Sequence, residues 1–178
     1  TGVALDSTLN RLLFAIRFKD LDLLISDQIL ADSQLLFHRT LGERLGRIAP
    51  FLLYDKDPYL VIADGRLVWM IDAYTRTDHY PYSEPYPSGR GPGFNYVRNS
   101  VKAIIDAYDG TMTFYIVDPE DPIVATYAKV FPELFTDFDA MPDSLLDNLR
   151  YPEDLFRVQS DMYAAYHITD ARVFFNEG

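Results

Sequence analysis

Apolar residues recur every three or four positions at the start of this chain, every second position in its middle, and every three or four again towards its end. That change of period predicts an α+β fold. Residues 1–50 read as helical, 58–118 as an antiparallel sheet and 119–168 as helical, within one soluble domain over 1–178. A helix is expected over 6–19, with cap oxygens at Asp6, Ser7 and Thr8 and an inward stripe of Leu9, Leu12, Leu13 and Ile16. "DLDLLISDQI" predicts a second short helix. A third is expected from Asp32-Ser33, burying Leu35, Leu41, Leu45 and Ile48 and turning His38, Arg39, Arg44 and Arg47 outward.

Two β-hairpins, about 59–74 and 100–117, build the expected sheet, packed with the N-terminal and C-terminal helices. Asp64-Gly65 and Asp109-Gly110 both read as two-residue type I′ turns. In the first hairpin Leu60 should then face Trp69, and Ile62 should face Leu67, on an apolar side continued by Ile71 and Ala73. In the second, Ile105 should face Phe114, Ala107 Met112 and Ala103 Ile116, with Asp106 opposite Thr113 on the other side. Beyond the sheet, Pro122, Pro142 and Pro152 each open a helix, the last with an inward stripe of Leu155, Val158, Met162, Tyr163 and Tyr166. The final run, RVFFNEG, is strand-like.

The tetrapeptide Ile-Asp-Ala-Tyr occurs twice, at Ile71 to Tyr74 and at Ile105 to Tyr108. It follows the turn in one hairpin and precedes it in the other, so the two hairpins are no tandem duplication. Each copy sets an Asp-x-Tyr on the less apolar side of a strand. Asp72 and Asp106 could meet across neighbouring strands as a carboxylate pair for acid–base work, or simply hydrogen-bond across the sheet. Between the hairpins, the Tyr/Pro loop 76–96 carries Tyr80, Tyr82 and Tyr86 among prolines. Alternating Tyr and Pro stiffens the backbone and presents rings for a partner or a sugar; the alternative is a loop that packs its tyrosines on itself.

Composition narrows the classes. The net charge is −11, and residues 118–178 hold thirteen acids against four bases, so a nucleic-acid partner is not expected. With no cysteine there is no disulfide, thiolate-bound zinc or thiol nucleophile. No apolar run reaches the ~18 residues of a membrane helix, and no signal peptide is recognisable. Those features leave a cytoplasmic protein or an excised piece of a larger one, and the abrupt ends favour the piece. Asp137, Asp139 and Asp143 occupy the first, third and seventh places of a calcium-loop spacing that lacks its glycine and terminal glutamate. The histidines are scattered, and "GRGPGFN" precedes a strand, so neither points to a metal or phosphate site. No cofactor is expected.

Three runs, "RIAPFLLYDKDPYLVIADGRLVWMIDAYTRTDHYPYS", "YVRNSVKAIIDAYDGTMTFYIVDPEDPI" and "LRYPEDLFRVQSDMYAAYH", closely resemble uncharacterised protein family 0182. Its members are large bacterial and cyanobacterial integral membrane proteins of unknown function. They carry several membrane helices near the N-terminus and a long soluble region beyond them. The resemblance implies that this chain is a fragment of that soluble region, extracytoplasmic, at the cell membrane of a bacterium. It supplies no catalytic residues. Membrane association would then come only through parts outside this chain. The leading expectation is a non-catalytic binding or scaffolding domain that contacts a protein partner, an envelope polymer or the remainder of its own membrane chain. Tyr80, Tyr82 and Tyr86, with Tyr74 and Tyr108, would make the contact. The alternatives are a hydrolase using Asp72 and Asp106, and an acidic divalent-cation module using Asp137, Asp139 and Asp143.

Overall fold

Local capping and turn chemistry set several of the element boundaries in the computed structural model. It describes residues 2–30, 32–35, 38–87 and 93–176, the side chains of 174–176 excepted. The chain forms two compact units, Thr1–Ile48 and Ala49–Gly178.

In the first unit, β1 (Val3–Ala4) pairs antiparallel with β2 (Gln34–Leu35), and α1 (Thr8–Phe18), α2 (Asp22–Ile25) and α3 (Leu41–Ile48) complete it. Ser7 caps α1 by accepting from the Asn10 N–H. The expected inward stripe is not inward: Leu9, Leu12, Leu13 and Ile16 are all exposed. Arg11 explains the rotation. Its guanidinium donates to the carbonyls of Leu5 and Ile29, each at 3.0 Å, and Ala15, one turn on, is buried. The third helix also starts later than expected, at Leu41, because Gln34 and Leu35 are taken into the β1 ladder. Leu45 is buried as expected, whereas Ile48 is exposed.

The second unit is built on a sheet of β3 (Leu53–Tyr54), β4 (Tyr59–Ala63), β5 (Arg66–Thr77), β6 (Tyr96–Asp106), β7 (Met112–Ile116) and β8 (Phe135–Asp137). The order is β3-β5-β6-β7-β8, with β4 also on β5. Every pairing is antiparallel except β7 with β8. The helices are α4 (Pro122–Val130), α5 (Asp143–Leu146), α6 (Glu153–Tyr166) and α7 (Ala171–Asn176). The fold class is therefore α+β, as expected. Of the terminal run read as strand-like, residues 172–176 lie in α7 instead, and 177–178 lie outside the described residues.

The first hairpin has the expected register, Leu60 against Trp69 and Ile62 against Leu67, and both turn residues take positive φ, 50° at Asp64 and 76° at Gly65. Near the turn its faces are the reverse of those expected, although Ile71 and Ala73 farther along are buried as expected. Leu60 and Ile62 are 43% and 70% exposed, while Tyr59, Val61, Ala63, Val68 and Met70 form the core with Ile104, Tyr115, Met141 and Leu145. Both faces are apolar, so alternation alone does not choose the side that α5 covers. The second hairpin is out of register by two residues: Ile105 lies against Met112 and Ala103 against Phe114. Asp106 causes this. Its Oδ1 accepts from the N–H groups of Tyr108 and Asp109, and its carbonyl accepts from Gly110, which opens a four-residue loop over 107–110. A shift of two preserves the faces, and Ala103, Ile105 and Phe114 are buried as expected. Among the described residues, no helix is long and apolar enough to cross a membrane.

Candidate binding cleft

The Tyr/Pro loop rises from a paired stem. Strands β5 and β6 run on to Thr77 and back from Tyr96, and the Asn95 N–H donates to the Thr77 carbonyl. Asn95 then holds the loop together: its side chain accepts from the Tyr80 N–H and donates to the carbonyls of Tyr80 and Ser83. Tyr86 and Phe94 exchange backbone hydrogen bonds. Gly93 is required there, because a Cβ would sit 2.9 Å from the Tyr86 carbonyl oxygen. The loop glycines 89 and 91 and Pro92 lie outside the described residues. Tyr80 stacks on Tyr96 at 5.5 Å, and Tyr82 is fully exposed with φ 59°.

Facing the loop is α6, whose N-terminus is tied down from the edge of the sheet. Residues 55–58 interrupt the edge between β3 and β4, and the Asp55 N–H donates to the Asp72 carbonyl. The Asp55 carboxylate accepts from the Asp154 N–H at 3.0 Å, from the Tyr74 hydroxyl and from the Asp57 N–H. It thus caps α6 across 99 residues of chain. Lys56 adds a backbone bond and an ion pair to Asp154. Asp154, Arg157, Val158 and Asp161 share one face of α6 by their spacing. The Tyr86 hydroxyl closes the frame by donating to Asp161.

Within that frame lies a cleft of about 370 Å³. Leu53, Tyr54, Tyr74 and Val97 contribute from the sheet, Tyr86 and Phe94 from the loop, and Leu155 and Val158 from α6. Lys56, Asp154, Arg157 and Asp161 bring the charges. Burial, then the Asp55 bond, pushes the Tyr74 hydroxyl far above its ordinary value, so it stays a donor. The bond to Asp161, then burial, pushes Tyr86 up to about 12.

The expected site residues fare differently. Asp72 and Lys102 are each 3% exposed and form an ion pair, and the Lys102 ammonium also donates to the Arg150 carbonyl. Burial raises the Asp72 pKa despite that cation. Asp106 instead pairs with Arg66 at 2.8 Å, a bond that holds its carboxyl well below the usual range. In the β5–β6 register Asp72 lies opposite Lys102 and Asp106 opposite Val68. Four residues of strand separate the two acids, roughly 13 Å. They are not a carboxylate pair. Tyr74 and Tyr86 line the cleft, Tyr80 and Tyr82 lie outside it on the loop, and Tyr108 is at the opposite end of β6 under Arg66. Asp137, Asp139 and Asp143 are exposed, and among the described residues no three His, Asp or Glu side chains converge as a metal site.

Sequence reasoning did not find Asp55, Asp154, Arg157 and Asp161. Their one visible signal is the spacing of 154, 157, 158 and 161. It read Asp121 as the cap of the helix that Pro122 opens, which the structure bears out, but not as the centre of a second buried node. There Asp121, fully buried, accepts from Thr75, Ser100, Tyr96 and the Ile123 N–H. Burial would raise its pKa, but those bonds outweigh it and the value is lowered.

The model of the Uncharacterised protein family (UPF0182) matches residues 1–178. A UPF0182 protein of Methanospirillum hungatei is 53% identical over 177 residues, which is 98% of this chain and 20% of that protein. One from Synechococcus sp. (strain JA-3-3Ab) is 50% identical over 175 residues, again 98% of this chain and 20% of that protein. One from Geobacter sulfurreducens is 52% identical over 176 residues, covering 98% and 19%. The chain spans about a fifth of the length of these curated relatives. No solved structure matches it.

Proposed function

This chain belongs to the Uncharacterised protein family (UPF0182), and from that premise we propose that it is a non-catalytic binding domain, extracytoplasmic, of a larger membrane protein. Its contact surface is the cleft between the Tyr/Pro loop and α6. One observation carries this reading: residues 53–56 of the sheet edge and Tyr86 of the loop are each bonded to residues 154–161 of α6 around one concavity. Loop and helix need no such cross-links merely to cover the sheet. The fully exposed ring of Tyr82, on a loop braced by Asn95, adds an aromatic contact on the same loop. The hydrolase alternative loses its geometric basis, since each of its carboxylates is held by a cation and the two lie far apart.

The test uses the full-length protein in its own membrane. A photo-crosslinking residue replacing Tyr82 should yield a discrete adduct, which Tyr86→Ala and Asp161→Ala weaken together. Position 108, at the opposite end of β6, is the control. Equal adducts at 82 and 108, or none at 82, would refute the binding assignment. A Tyr82→Cys variant labelled by a membrane-impermeant maleimide in intact cells supports the extracytoplasmic side; labelling only after permeabilisation overturns it.

A further inference from the structure

We propose that the cleft holds a neutral saccharide ring, a segment of an envelope glycan. The proposal rests on the binding assignment above and adds the chemistry of the ligand.

Charge comes first. The mouth carries two cations, Lys56 and Arg157, and two anions, Asp154 and Asp161. Lys56 pairs with Asp154 at 3.7 Å, and Arg157 pairs with Glu153 one turn earlier on α6. Asp161 takes the Tyr86 hydroxyl. A mouth that neutralises itself gives a phosphate or a polycation no net attraction, and the chain's net charge of −11 opposes polyanions further. Because these side chains are exposed except that of Asp154, they can still reach a ligand without being stripped of water.

The interior is different in kind. Leu53, Val97, Leu155 and Val158 with the rings of Tyr54 and Tyr86 make an apolar lining. An acyl chain would satisfy that lining and leave the polar mouth unused. A small ion would satisfy the mouth and leave the lining bare. A pyranose ring uses both: its C–H faces lie against aromatic and aliphatic walls, and each edge hydroxyl both donates and accepts. Such hydroxyls match a mouth that offers donors from Lys56 and Arg157 beside acceptors from Asp154 and Asp161. At about 370 Å³ the cleft lies near the lower end of the range for small-ligand sites, ~300–1,000 Å³, which suits one or two rings of a longer polymer.

The full-length protein, purified in detergent, is titrated with neutral β-linked oligomers of glucose and of N-acetylglucosamine, read by saturation-transfer NMR and calorimetry. Phosphorylated oligosaccharides and a proline- and tyrosine-rich peptide are run beside them. Saturable binding of a neutral oligomer is expected, weakened at least tenfold by Tyr86→Ala and several-fold by Arg157→Gln, and unchanged by Tyr108→Ala. Arg157 is on the surface, so its variant keeps the result interpretable if Tyr86→Ala misfolds. Tighter binding of the phosphorylated oligomers or the peptide overturns the saccharide assignment, as does neutral binding indifferent to both cleft variants. No neutral binding with a persisting adduct at position 82 overturns the saccharide alone. If the adduct is missing too, the cleft assignment falls with it.

Discussion

Replacing Lys102 by methionine tests the interior of the sheet most sharply. The side chains of Lys102 and Asp72 are each 4% exposed, and the ammonium bridges the Asp72 carboxylate and the Arg150 carbonyl. Methionine keeps the length and removes the charge. Asp72 is then a buried anion whose remaining bond is from Asn99. Breaking one side of a buried pair costs about 3–5 kcal/mol. With a urea slope of about 2 kcal/mol per molar, the midpoint should fall by roughly 2 M. Trp69, three residues before Asp72 on β5, reports the transition by fluorescence. The pH dependence has a definite sign. Burial already raises Asp72 above the ordinary carboxylate value, and loss of Lys102 raises it further. The unfolded chain releases this proton near about pH 4, while the folded variant holds it to a higher pH. Stability therefore falls as pH rises through that window, so the Lys102→Met deficit should be small near about pH 4 and full near about pH 7. Adding Asp72→Asn should recover most of the loss at neutral pH, because no buried charge is then left unpaired. A deficit below about 1 kcal/mol, or one of equal size at both pH values, would refute the reasoning.

Three further outcomes are expected. Asp121→Ala removes a helix cap and the shared acceptor of the buried Thr75 and Ser100 hydroxyls, which remain 3.3 Å apart and can still bond each other. The expected loss is about 2–4 kcal/mol by urea unfolding. Since the Asp121 pKa is lowered in the fold, its contribution is present above the ordinary carboxylate value and lost as pH falls through the folded one; Asp121→Asn should flatten that acid limb. Gly65→Ala meets no neighbouring atom but must hold φ near 76°, so it should cost about 1–2 kcal/mol in thermal unfolding. In carboxyl NMR, Asp106 should titrate below the ordinary range, and Arg66→Ala should move it back up; an unmoved titration sinks the assigned ion pair.

The sequence carried the fold's class and much of its register, and its failures have physical causes. Asp64-Gly65 specified the first hairpin because both turn residues take the left-handed conformation that a two-residue turn needs. Asp109-Gly110 looks the same, yet Asp106 captures the N–H groups of Tyr108 and Asp109 and lengthens the loop. A composition rule for turns does not see a side chain three residues upstream competing for the same backbone. The reversed face of the first hairpin has another cause: Leu60, Ile62, Leu67 and Trp69 are as apolar as Tyr59, Val61, Val68 and Met70. The packing of Met141 and Leu145, with Phe138, Leu146 and Leu149, decides between them, and that is a long-range fact. For the cleft, the tyrosines were legible as rings on a stiff loop. Asp55 was not, because a carboxylate that caps a helix 99 residues away reads as an ordinary turn residue.

The two copies of Ile-Asp-Ala-Tyr show why a repeated word need not be a repeated chemistry. In the first copy β5 continues to Thr77, with β3 pairing at Ala73 and Tyr74 on one edge and β6 on the other. Asp72 is enclosed there and needs a buried lysine, and Tyr74 reaches Asp55 and the cleft. In the second copy β6 ends at Asp106. That carboxylate turns back on its own loop, meets the exposed Arg66, and leaves Tyr108 in solvent. Their pKa values move in opposite directions for these reasons, up with burial at Asp72 and down with the arginine bond at Asp106. An acid–base pair needs the two carboxylates to perturb each other, and here each is perturbed by a different cation in a different dielectric. What distinguishes the copies is where the strand ends, so the tyrosine that serves the cleft is the one whose strand carries on beyond it.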